Sequence, residues 1–364
     1  MTLSRRTALA ALVAPAAANA ESVWPVRPLR VVVPFAPGGA TDLIARLVAE
    51  HLARPLGQQV AVENRAGAFG ILGADAVAKA APDGYTLLAG SPGPMAVNPF
   101  VYRNLPYSPE RDLVGVSMVA VIPYVMVVPA SLGVSTVQEL LALARSRPGS
   151  INFATSGMAS RLTVEMFRAL AGGVEMEMVQ YRGGAPARTD LLAGRVQLVI
   201  EQAPSFLEDF RAGTLRPLAV GGARRFALLP DVPTLQEAGI AGYEAAAWLG
   251  YAAPAGMPVE IRRRLASEID RLLLLPEVRD RLAAWGAEPV GGPPRRWTAC
   301  SRPNAPGGAK WCVWLGSNGS SVSGARSRAA RRRGRAKRKA RHAPSGRPRR
   351  PPWTRSPARR RGCP

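Results

Sequence analysis

The chain has 364 residues and a formal charge of +23, yet 21 of its 48 Lys+Arg and none of its 25 Asp+Glu lie between Pro293 and Pro364. All three cysteines (Cys300, Cys312, Cys363) lie there too, so the near-neutral body of residues 1–292 has no thiol, one histidine (His51) and one lysine (Lys79). That excludes a cysteine nucleophile or thiolate zinc site from the body, and leaves a triad or a Schiff base only His51 or Lys79, both on helix surfaces by their spacing.

Residues 1–20 carry Arg5 and Arg6, an Ala/Leu/Val stretch, and Ala18-Asn19-Ala20 before Glu21. This is the layout of a secretory signal peptide cut after Ala20. The apolar run, broken by Pro15, is too short to span a bilayer. Ser4-Arg5-Arg6 leaves both general secretion and twin-arginine export open.

Arg30 to Phe35 reads as a buried parallel strand. Ala36-Pro37-Gly38-Gly39 breaks it, and Thr41 or Asp42 can cap a helix through Leu43, Leu47 and His51. A glycine turn from strand to helix leaves backbone N–H groups bare at the positive end of a helix dipole, a seat for an anion. No Gly-Lys-Ser/Thr follows any such turn, which excludes a nucleotide P-loop. A small carboxylate fits better, and a valine at Gly39 is expected to block its approach.

Strands follow at Val60–Glu63 and Tyr85–Ala89, with a helix through Ile71, Ala74 and Val77 between them. Leu113–Ala120 and Tyr124–Val128 are long apolar strands, and Ser135-Thr136 opens a helix through Leu140, Leu141 and Ala144. A second unit repeats this logic. Ile151–Ala154 is a strand, Thr155 to Ser160 a small-residue turn, and Leu162 to Leu170 a helix. Met178–Tyr181, the Arg182-Gly183-Gly184 turn, Val196–Ile200 and Leu215–Val220 follow. Trp248–Ala253 and the helix Pro258–Leu275 close the body. Alternating strands and helices make an α/β protein. Two units whose turns open at strand C-terminal ends form a ligand cleft.

Residues 293–364 are rich in Arg, Pro, Gly and Ser, a composition that buries too little surface to offset the entropy of ordering. One reading is a nucleic-acid arm, with runs such as Arg331 to Arg341 holding phosphates non-specifically. The other is translation out of frame. Pro303 to Gly319 can be back-translated so that another frame encodes an amphipathic helix. A product lacking that helix would be defective, with an apolar face bare.

Six segments in order carry a resemblance: Val33 to Asp42, Glu63 to Gly67, Pro82 to Leu88, Tyr181 to Gly184, Leu229 to Thr234 and Ala253 to Gly256. Together they resemble the Bug family, the solute-binding receptors of tripartite tricarboxylate transporters, over about Trp24 to Gly292. The resemblance implies a type II periplasmic binding protein, an α/β fold of two domains with a ligand cleft between them. Residues 21–124 plus 250–292 would form domain 1 and residues 125–249 domain 2, with crossings near Tyr124–Pro129 and Leu249–Pro254. It implies a periplasmic, non-enzymatic monomer without metal or cofactor, with no specific nucleic acid as partner. That monomer would capture a di- or tricarboxylate for the transporter's membrane components. Mapped onto this chain, Pro37, Gly38, Gly39, Ala40, Thr41 and Asp42 would receive one carboxylate, with Ser91 beside them. Thr155, Ser156, Gly157 and Ser160 would meet the ligand from the second domain. Tyr181, Arg182 and Gly183 would stand behind, and Arg161 would favour a more anionic ligand. Glu201 would read an amino or hydroxyl group.

Overall fold

Val31, Val32 and Val33 are fully buried in β1 (Leu29–Val33), because helices cover both faces of the sheet they belong to. Alternate residues serve alternate faces. Val31 and Val33 pack with Ile44 and Val48 of α1 (Ala40–Leu56), whereas Val32 packs with Ile71, Ala74 and Val77 of α2 (Ile71–Ala78). The computed structural model describes residues 24–292. The proposed signal peptide and the basic tail, with its readings as a nucleic-acid arm or a frameshift, lie outside the described residues.

β2 (Val60–Asn64) and β3 (Thr86–Gly90) flank β1 in parallel. The short α3 (Asn98–Val101) and α4 (Pro109–Asp112) lead to β4 (Leu113–Pro129), where the two apolar runs of the sequence form one continuous 17-residue strand. β4 changes partners midway. Leu113 to Pro123 pair with β9 (Ala246–Pro254), and Tyr124 to Val127 pair with β7 (Leu198–Gln202). On the second side lie α5 (Val137–Ser146), β5 (Asn152–Thr155), α6 (Met158–Leu170), β6 (Glu177–Gln180), α7 (Gly184–Leu192), α8 (Leu207–Arg211) and β8 (Leu215–Val220).

The strand order is β2-β1-β3-β9-β4-β7-β5-β6, with β8 also pairing with β4. The chain returns to the first side at Ala245–Ala246, where the Ala245 N–H bonds the Gly221 carbonyl and the Gly221 N–H bonds the Tyr124 carbonyl, both at 2.8 Å. Two helices follow, α9 (Val259–Leu272) and α10 (Pro276–Ala284), where the sequence suggested one helix to Leu275. Pro276 forces the break, as it cannot continue the preceding ladder. β10 (Glu288–Pro289) closes on β4.

Candidate functional site

β1, β5 and β7 all end at one cleft, whose empty space comes to about 490 Å³ with the open solvent at its mouth included. Three helices begin there, α1 at Gly39, α6 at Gly157 and α7 at Gly183. The first backbone bond of α1 runs from Leu43 N to Gly39 O (3.0 Å), and that of α6 from Arg161 N to Gly157 O (3.0 Å). The N–H groups of residues 40–42 and 158–160 therefore have no acceptor inside their helices. α7 adds those of Gly184 and Ala185.

The α1 turn is built by its own aspartate, in a different manner from the cap expected at Thr41 or Asp42. Gly39 is the N-cap residue, and Asp42, in the first turn, reaches back to accept from Gly38 N–H (2.9 Å). Gly38 has φ +84°, a left-handed conformation that a side chain would strain. Asp42 also accepts from Arg46 Nε (3.0 Å) and Asn64 Nδ2 (2.9 Å). Burial pushes its pKa up, but those three donors outweigh it and hold the carboxyl below the usual range.

On the facing side, Ser160 Oγ accepts from the backbone N–H of Ser156 (3.0 Å) and Gly157 (3.3 Å). Thr155 Oγ1 donates to the Gly157 carbonyl (2.9 Å). Ser156 Oγ donates to Glu201, whose other oxygen accepts from Gln202 N–H (2.9 Å). Burial raises the Glu201 pKa, and bonds from Ser156, Gln202 and Ser160 only partly offset it.

The cleft brings together Gly39, Ala40, Thr41, Asp42, Ser91, Ser156, Gly157, Ser160 and Glu201 from the sequence-derived set. Pro37 and Gly38 are exposed at its rim, and buried Thr155 props the second loop from beneath. Tyr181 donates its hydroxyl to Asp190 (2.7 Å), and the Arg182 side chain is exposed. Arg161 lies along α6, 3.9 Å from Glu165, and does not line the cleft. Sequence reasoning missed Phe35, Ala36, Pro92, Gly93, Tyr124, Ala159, Gly184, Gln202 and Ser205. Tyr124 and Gln202 could have been found, since they sit opposite one another in the β4–β7 ladder beside Glu201. Among the described residues no arginine or lysine lines the cleft, so attraction for an anion rests there on the helix N-termini.

The two sides touch. Ala36 N–H donates to the Arg182 carbonyl (3.0 Å), and Gly183 packs so closely that a Cβ there would lie 2.9 Å from Ala36 N. A Cβ at Gly157 would meet the Phe35 ring at 3.2 Å. The cleft is shut by backbone against backbone.

Residues 44–296 match the family model described as "Tripartite tricarboxylate transporter family receptor", TctC. The chain belongs to the TctC family. It is therefore a solute-binding receptor of the Bug type, with the fold of two α/β domains that the sequence resemblance implied. Among solved relatives, Rpa4515 of R. palustris, determined with adipate, is 40% identical with a TM-score of 0.73, covering 76% of this chain and 92% of that one. The periplasmic binding protein BugD is 32% identical with a TM-score of 0.75, covering 79% and 96%. MatC from Rhodopseudomonas palustris, with bound malate, is 33% identical with a TM-score of 0.70, covering 73% and 90%.

Proposed function

We propose that this TctC-family receptor captures a small dicarboxylate in the periplasm and presents it to the membrane components of a tripartite tricarboxylate transporter. The observation that carries the reading is the convergence of three helix N-termini on a cleft that no cationic side chain lines among the described residues. Such a site recognises an anion by backbone N–H groups and short hydroxyls, among them Thr41, Ser91 and Ser205. The relatives solved with adipate and malate support a dicarboxylate. The secretory pattern of residues 1–20 supports export, and the chain is read as acting as a monomer.

Each helix terminus contributes ~0.3–1 kcal/mol to an exposed anion and up to ~2 kcal/mol to a buried one. Micromolar binding requires about 8 kcal/mol, so both sides must engage the ligand at once. We place the hinge where β4 changes partners, at Pro123–Tyr124, and where the chain returns at Ala245–Ala246. This divides the body into domains close to residues 24–124 plus 246–292 and residues 125–245. The test is thermal unfolding with a panel of mono-, di- and tricarboxylates. A ligand at 100 times its Kd adds ~2.7 kcal/mol, and stabilisation by dicarboxylates is expected; a cooperative transition that no carboxylate moves would refute the reading.

A further inference from the structure

Glu201 is the one feature of the cleft that the capture of an anion does not absorb. Its side chain is 4% exposed, at the C-terminal end of β7, and no ion pair with an arginine or lysine engages it among the described residues. Its partners are neutral: the Ser156 hydroxyl and the Gln202 N–H. The groups packed around it are neutral as well. Val125 pairs with it on β4, Tyr124 lines the cleft one residue away, Ser160 lines it from α6 and Ser205 from the turn after β7, while Gly184 approaches from the start of α7. The charged groups of these elements are committed elsewhere. Arg188 of α7 is held by Asp209 (2.6 Å), Arg161 of α6 lies toward Glu165, and Asp42, on the opposite wall, is held by Arg46. A second carboxylate entering this cleft therefore meets a buried carboxyl with no cation among the described residues to compensate the pair. Two like charges sharing a dry site force one of them to take a proton.

We infer that Glu201 is the specificity-determining acid of the cleft: it takes up one proton from solvent when the ligand binds and donates it in a hydrogen bond to a ligand carboxylate oxygen. This rests on the carboxylate-capture reading and deepens it. The neutral acid keeps its remaining lone pairs for Ser156 and Gln202, and the ligand keeps its full charge for the helix N-termini. Burial, which already raises the affinity of Glu201 for a proton in the free protein, works in the same direction. The ligand class that follows is a dicarboxylate whose second carboxylate reaches Glu201. An amino-dicarboxylate, whose ammonium would need Glu201 ionised, is disfavoured.

Isothermal titration of the exported chain with adipate, in buffers of different ionisation enthalpy, measures protons taken up per ligand bound. Between pH 6.5 and 8.5 free adipate carries almost no proton, so uptake belongs to the complex, and the Glu201→Gln variant assigns it. Uptake approaching one proton is expected, with the Kd rising about tenfold per pH unit where uptake is complete. Glu201→Gln, whose amide donates without titrating, should bind adipate with a Kd that no longer follows pH. Adipate binding with no proton uptake, or a Glu201→Gln variant that keeps the wild-type pH slope, would overturn the inference and leave the capture reading standing. Failure of adipate, malate and every other carboxylate to bind would overturn both.

Discussion

Gly183 decides whether the two walls of the cleft can meet. A methyl group there would lie 2.9 Å from Ala36 N and 3.0 Å from Ala36 Cβ, against backbone that cannot turn aside. Gly183→Ala should weaken ligand binding at least about tenfold, or ~1.4 kcal/mol, while the melting temperature without ligand stays nearly unchanged; titration calorimetry and thermal unfolding separate the two effects. At Gly39 the corresponding methyl would sit 3.7 Å from Gly184 N, an ordinary contact, so Gly39→Ala should be tolerated by the protein, and the bulkier Gly39→Val is the variant that tests whether the ligand approaches this backbone. The two cleft carboxyls have opposite pH signatures. Asp42 is held below its usual pKa, so its stabilisation is full above the unfolded-state value near 3.8 and is lost as pH falls through the folded one. Glu201 is raised, so its favourable contribution is confined to low pH and fades as pH rises past 4.5 through the folded value. Unfolding measured from pH 5 to 8 should therefore show Glu201→Gln gaining stability relative to wild type as pH rises. A constant difference would contradict the assignment.

At the scale of elements, the turn opening α6 is held by one hydroxyl. Ser160→Ala removes the acceptor for two backbone N–H groups and should cost ~1–3 kcal/mol, readable as a lower urea midpoint at unchanged slope. This residue also shows what was legible in the sequence. The strand–turn–helix punctuation at Gly38-Gly39, Thr155–Ser160 and Arg182–Gly184 located three helix N-termini, because small residues before an apolar periodicity have few other uses. It did not say which side chain would serve each turn, since Asp42 and Ser160 act backward from inside the helix, and only three-dimensional geometry reveals that. Arg161, which the family resemblance set near the ligand, lies along α6 toward Glu165, because helical rotation carries the residue after Ser160 to another face. Tyr124 and Gln202 escaped notice because strand residues reach the cleft only through the β4–β7 register. One continuous β4 was hidden by Pro123, which the strand tolerates where it changes partners.

At the scale of the whole molecule, β4 and the return at Ala245–Ala246 are the two links between halves that otherwise have separate sheets of partners. Gly221 sits between them. A Cβ there would lie 3.0 Å from the Ala245 carbonyl oxygen and 3.2 Å from Tyr124 Cβ. Gly221→Val should cost ~1–3 kcal/mol through overpacking and should alter closure by pressing on Ala245 and on Tyr124, the one cleft residue it meets, seen as a slower ligand association rate. The bound anion stabilises the closed arrangement only to the extent that it prefers it over the open one, and contacts from α1, α6 and α7 together supply that preference. The most direct test of this account is titration calorimetry of the exported chain with adipate and malate, alongside Gly183→Ala. One-to-one binding at micromolar Kd is expected, weakened at least tenfold, or ~1.4 kcal/mol, by the substitution. Folded protein that binds neither dicarboxylate, or a Gly183→Ala variant that binds as tightly as wild type, would contradict it.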